Sequence, residues 1–125
     1  MAADRLSAVV SRLLTDVDRR AKITELNDQL RTTFSGGRVQ MTRSVYDLDD
    51  RLRGRALSVL ACFNKFHADS EHDCGTLIFA GYAFEWRIEY RRADGTGVSP
   101  DPADPEKTLR VLTLYATDDI LARAS

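Results

Sequence analysis

Tyr82, Phe84, Trp86, Ile88 and Tyr90 fall on alternate positions, and from Glu85 onward the positions between them are charged: Glu85, Arg87, Glu89 and Arg91. Side chains alternate across a strand, so this pattern predicts one with a packed face and a wet face. A second strand-like run, Thr76 to Ala80, precedes it, and Ala80-Gly81 between them predicts a hairpin turn. An antiparallel pair with one greasy face needs a second layer to cover that face. The rest of the chain is read for what supplies it.

Two helical segments do. From Asp4 to about Phe34, Leu6, Val9, Leu13 and Val17 recur at three- and four-residue steps, and Ile23, Leu26 and Leu30 resume the stripe. The phase slips near Arg20, which predicts one bent helix or two shorter ones, ended by Ser35-Gly36-Gly37 because glycine accepts the left-handed conformation. Residues 1–20 form an amphipathic helical extension, and residues 21–125 a single domain. The extension presents Leu6, Val9, Val10, Leu13, Leu14 and Val17, a stripe more apolar than a lone surface helix needs, which leads us to expect a homodimer through residues 3–20. Arg38 to Thr42 alternates as a short strand with Val39 and Met41 inward. Asp47 or Asp49 can cap a second helix reaching about Phe66, with Leu52, Ala56, Val59, Leu60 and Phe63 on one face and Gly54 as a mark of close packing. All three prolines lie in a polar loop, Ala93 to Glu106. A last strand, Thr108 to Tyr115, follows it, and Thr117 can cap a short turn through Leu121. The expected fold is α+β: a two-layer domain with an antiparallel sheet of about four strands and helices packed on one face.

At 125 residues the chain has room for one core. Lys+Arg 18 against Asp+Glu 19 disfavours a strongly basic nucleic-acid binder. No apolar run is long enough to span a membrane, and the mixed charges of MAADRLSAVV do not read as a secretory signal. Cys62, read as a helix core residue, and Cys74, read at a loop-to-strand junction, point to a reducing cytoplasm rather than a disulfide scaffold. The basic excess gathers at Arg12, Arg19, Arg20 and Lys22 on the first helix.

One ordered set of motifs resembles a bacterial domain-of-unknown-function family of small proteins. It comprises Leu26-Asn27-Asp28, Glu71-His72-Asp73 with Gly75, Trp86-Arg87-Ile88-Glu89-Tyr90, and Asp101-Pro102-Ala103-Asp104-Pro105 leading into Thr108-Leu109-Arg110. The resemblance spans Ile23 to Ile120 and implies genes of bacterial mobile elements, without an assigned activity. The family carries a longer acidic insert where this chain has His67-Ala68-Asp69-Ser70, and an aromatic where it has Cys74.

Glu71, His72 and Asp73 form the densest polar cluster, and Asp101 and Asp104 are the carboxylates that a loop could bring beside them. Histidine titrates near neutrality and a carboxylate can orient its ring, so the cluster suits acid–base chemistry or a divalent metal. On an extended strand, though, the three side chains would point to alternate sides. No phosphate loop, nucleophile elbow or RNA-stacking signature accompanies them. The expected function is a non-enzymatic protein-binding module with no cofactor and no metal, a candidate inhibitor of a bacterial defence complex such as CRISPR interference or restriction. Its expected contacts are Arg12, Arg19 and Arg20 on the helix and Glu85, Arg87, Glu89 and Arg91 on the strand. The alternative is a small metal-binding protein or acid–base enzyme centred on Glu71, His72 and Asp73.

Overall fold

A computed structural model describes the backbone of residues 2–117 and the side chains of residues 7–117 apart from residue 14. The elements follow in the order α1 (Ala2–Thr33), β1 (Arg38–Met41), α2 (Arg43–Tyr46), α3 (Asp50–Ala61), β2 (Cys74–Phe79), β3 (Tyr82–Arg92) and β4 (Thr108–Ala116). The four strands make one sheet ordered β1-β4-β3-β2. β4 pairs antiparallel with β3, and β3 with β2, but β1 runs parallel to β4. The sheet is therefore mixed. Connectivity permits the parallel edge, because β1 reaches β4 through helices and the hairpin rather than through a tight turn, which would join antiparallel neighbours.

The hairpin turn is Ala80-Gly81, both at positive φ (51° and 79°), which matches the twist of the flanking strands. Its register pairs Leu77 with Phe84 and Gly75 with Trp86, and β4 sets Leu114 beside Trp86 and Leu112 beside Ile88. These residues line one face and form the core with Leu30 of α1, Val45 of α2, and Ala56 and Leu60 of α3. Val39 and Met41 pack against that core from β1. The domain is α+β, with its helices gathered on one face of the sheet.

Several details differ from the sequence reading. α1 is one helix through Arg20. It stops because Phe34, not a glycine, takes the left-handed conformation (φ 58°), with its N–H bonded to the Leu30 carbonyl. α3 is capped by the Asp49 carboxylate on the Leu52 N–H at 2.9 Å, as the spacing suggested, but it ends at Ala61. Cys62 sits at the C-cap and is exposed rather than in the core. Gly54 faces open space, whereas a Cβ at Gly75 would lie 2.6 Å from both Phe63 Cζ and Trp86 Nε1. Gly75 permits close packing there, as Gly37 does against the Arg110 carbonyl. The short turn expected from Thr117 through Leu121 lies, from residue 118 on, outside the described residues.

Candidate functional site

α1 buries a polar residue where its packing stripe calls for an apolar one. Asn27 is fully buried between Ile23 and Leu30. Its amide donates to the Glu71 carbonyl (3.0 Å) and to the Tyr90 hydroxyl (2.8 Å), and its oxygen accepts from Arg110 Nε (2.9 Å). Tyr90 in turn donates to Glu71 Oε2 at 2.9 Å. Arg110, 2% exposed, occupies an inward position of β4 opposite Tyr90, reaches the Pro102 carbonyl, and lies over the Tyr90 ring. One knot thus ties α1, the loop before β2, β3, β4 and the proline loop together. Burial pushes the Tyr90 phenol well above its ordinary range, and the hydrogen bond to the Glu71 carboxylate adds to that, so the phenol is neutral. Burial pulls Arg110 below its ordinary value, with Tyr90 and the Glu71 charge acting the other way.

One residue along, Asp28 faces a second, more open cluster. Its Oδ1 lies 2.8 Å from Arg31 Nη1 and 2.8 Å from His72 Nδ1. The His72 ring stacks on Phe66 with centroids 3.8 Å apart, and the Arg31 guanidinium also covers Phe66 at 4.8 Å. His72 takes φ 59°, an uncommon left-handed conformation, and its N–H is held by Ser70 Oγ. That conformation defeats the alternation expected of an extended strand. Glu71 turns to Tyr90 while His72 turns to Asp28, and both approach α1. Asp73 instead accepts the Ile88 N–H through its carbonyl, opening the β2–β3 pairing. With Nδ1 engaged by Asp28, His72 Nε2 has no hydrogen-bond partner among the described residues. His72 lines a groove of about 540 Å³ with Arg20, Thr24, Glu25, Asp69 and Ser70. An imidazole oriented by a carboxylate beside a groove can accept or donate a proton. Among the described residues no three His, Cys, Asp or Glu side chains are placed to hold a metal ion.

Asp101 and Asp104 do not join His72. Asp101 accepts the Ala103 N–H at 3.2 Å and pairs with Arg19 at 3.0 Å, and Asp104 accepts the Glu106 N–H at 2.9 Å. Both are turn-forming aspartates of the proline loop. Arg20 is likewise committed to the Asp69 carbonyl. Of Arg12, Arg19 and Arg20, the Arg12 side chain alone makes no hydrogen bond or ion pair among the described residues.

The charged ladder lies on the sheet face opposite the helices. Glu89 and Arg91 pair on that face at 2.9 Å, while Arg87 is exposed and makes no ion pair among the described residues. Cys74, Thr76, Glu85, Arg87 and Tyr115 line a depression of about 350 Å³ there. Burial, with Asp73 next, raises the Cys74 thiol pKa, so Cys74 is not an activated thiolate. Ile78, 76% exposed, extends the same face.

A family model described as "Protein of unknown function (DUF3768)" matches residues 41–119. The chain belongs to that family. The matched span holds Glu71, His72, Tyr90 and Arg110, whereas Asn27 and Asp28 lie on the helix before it. No curated protein and no solved structure matches the chain. The motifs quoted from the sequence meet in the DUF3768 chain at one place, the junction of α1 with the sheet. Sequence reasoning gave no role to Arg31, Tyr90 or Arg110 in that junction. The signal was present as phase: Asn27 and Arg31 sit one turn apart in a buried stripe, and Arg110 takes the inward beat before Leu112 and Leu114.

Proposed function

We propose that this chain is a non-enzymatic protein-binding module that docks a partner on the helix-free face of its sheet. The observation that supports this is the makeup of that face. Ile78 is an exposed apolar anchor, the depression beside it combines Thr76 and Tyr115 with the charged Glu85 and Arg87, and Glu89 and Arg91 continue the face with both signs of charge. An apolar centre with a polar rim is the usual anatomy of a protein interface. Aromatic and arginine side chains are its usual anchors. The partner class we favour is a bacterial defence complex, of CRISPR interference or restriction, with the chain acting as its inhibitor from a mobile element. The resemblance in the motifs supports that origin. Arg12, on α1 and away from that face, would be a separate contact; Arg19 and Arg20 contribute indirectly, by holding the loops at Asp101 and Asp69.

The test is capture from a bacterial lysate bearing such a system, comparing the wild-type chain with Arg87→Glu and Arg19→Glu. The reading expects a stable partner that Arg87→Glu releases and Arg19→Glu weakens less. Binding indifferent to Arg87 would count against the sheet face.

A second reading has one specific observation behind it, the Asp28–His72 pair beside the groove. It makes the chain an acid–base enzyme with His72 as the proton-transferring group and Asp28 as its orienting partner. A phenotype abolished by His72→Ala at unchanged stability would favour it over docking. A thermal-shift screen with divalent cations checks the metal version, since a specific site raises Tm by mass action.

A further inference from the structure

We propose that the N-terminal part of α1 is a homodimerisation arm that forms a parallel two-stranded coiled coil with a second copy of this chain. Every described side chain from Ser7 to Lys22 is exposed, and the described side chains of residues 7–18 make no hydrogen bond or ion pair to the rest of the chain among the described residues. Val9, Val10, Leu13 and Val17 are each more than half exposed. The helix before the Arg19–Asp101 contact spans 17 residues, roughly 25 Å at 1.5 Å per residue. An isolated arm of that length is marginal as a helix in water and needs packing to persist.

The direction of the stripe shows that this packing is not supplied by its own domain. At 100° per residue, Val10, Leu13 and Val17 centre roughly 90° around the helix from the buried Ile23, Asn27, Leu30 and Arg31, whereas Val9 shares the direction of Asn27. α1 therefore carries two stripes for two surfaces. The first has the spacing of a coiled-coil seam. Val10 and Val17 are seven apart on one seam position, and Leu13 takes the other. A β-branched residue at the first and leucine at the second favour a parallel pair of two strands. Between residues 7 and 17 no like charges face each other in such a pair. Arg12 lies away from the seam, and Asp16, the single charge flanking it between residues 7 and 17, meets Ala21 of the other copy in that alignment. The seam closes at Arg20, where the domain-facing stripe takes over. Dimerisation is independent of the docking face on the sheet.

Light scattering on the full-length chain, at concentrations up to about 100 μM, tests it because dimer content follows mass action. The dimer is expected, and Leu13→Asp or Val17→Asp should weaken it at least 100-fold. Those variants should keep the Trp86 near-ultraviolet signal of a folded core, since neither side chain touches it. Val10→Cys, with Cys62→Ser and Cys74→Ser, should cross-link to a disulfide dimer on mild oxidation. A monomer throughout the range, or a dimer that survives Leu13→Asp, overturns the proposal. Failure of Val10→Cys to cross-link overturns the parallel arrangement. Monomers that bind a different protein through the arm also overturn it.

Discussion

Asn27 uses both amide hydrogens and its oxygen on three partners from three other parts of the chain. Removing it takes a partner from the half-buried Glu71 carbonyl and from the buried Arg110 Nε. Each buried orphan costs roughly 1–3 kcal/mol, so Asn27→Ala should lower stability by about 3 kcal/mol in chemical denaturation. A loss under 0.5 kcal/mol would mean the knot is incidental. Tyr90 gives the alkaline counterpart. Its phenol is raised in the folded state, so its contribution is complete below the ordinary value of about 10 and is lost only as pH climbs through the higher folded value. Ultraviolet titration should find one tyrosine of the four that resists ionisation where the others ionise, and Tyr90→Phe should remove it. Asp101 works in the opposite direction. The Arg19 guanidinium holds its carboxyl below the usual range, so the pair's contribution is present at neutral pH and fades as acid protonates Asp101 below about 3.9. Carboxyl NMR should show this resonance titrating late on acidification, and moving back up in Arg19→Ala.

Among the elements, β3 and α3 were legible because their periods are clean: two for the strand, three and four for Leu52, Ala56 and Leu60. The hairpin followed from Ala80-Gly81, and the α3 start from Asp49. The parallel pairing of β1 was not legible, because a four-residue strand carries no sign of its direction. The left-handed turn at His72 was hidden as well. Histidine reports no backbone preference as strongly as glycine does, so Glu71-His72-Asp73 read as extended strand, and the reach of Glu71 and His72 toward α1 went unseen. Arg31, Tyr90 and Arg110 were visible only as polar beats in apolar rhythms. Gly75 marks how tightly α3's end meets the sheet, with Phe63 and the Trp86 indole against it. Gly75→Ala should cost about 1–3 kcal/mol by overpacking, read as a lower Tm with an altered Trp86 fluorescence. Gly54→Ala, facing open space within a helix, should instead stabilise by roughly 0.5–1 kcal/mol.

For the whole molecule, the polar motifs and the proposed docking face occupy different places. Asn27 and Arg110 are buried, and Glu71 and Tyr90 half-buried, between α1 and the sheet, while Arg87, Glu85 and Ile78 face away from every described helix. Burial of the first set suits it to holding α1 at a fixed angle. Exposure of the second suits it to recognition. His72 sits between these roles, half-buried by Phe66 and open to the groove. The account holds that binding resides on the helix-free sheet face and that His72 is a structural clamp. The direct measurement is the affinity of the captured partner for two variants of matched stability, Arg87→Glu and His72→Ala. The prediction is at least a tenfold loss for Arg87→Glu, which corresponds to about 1.4 kcal/mol, and less than a twofold change for His72→Ala. Undiminished binding by Arg87→Glu together with complete loss of function in His72→Ala would contradict it.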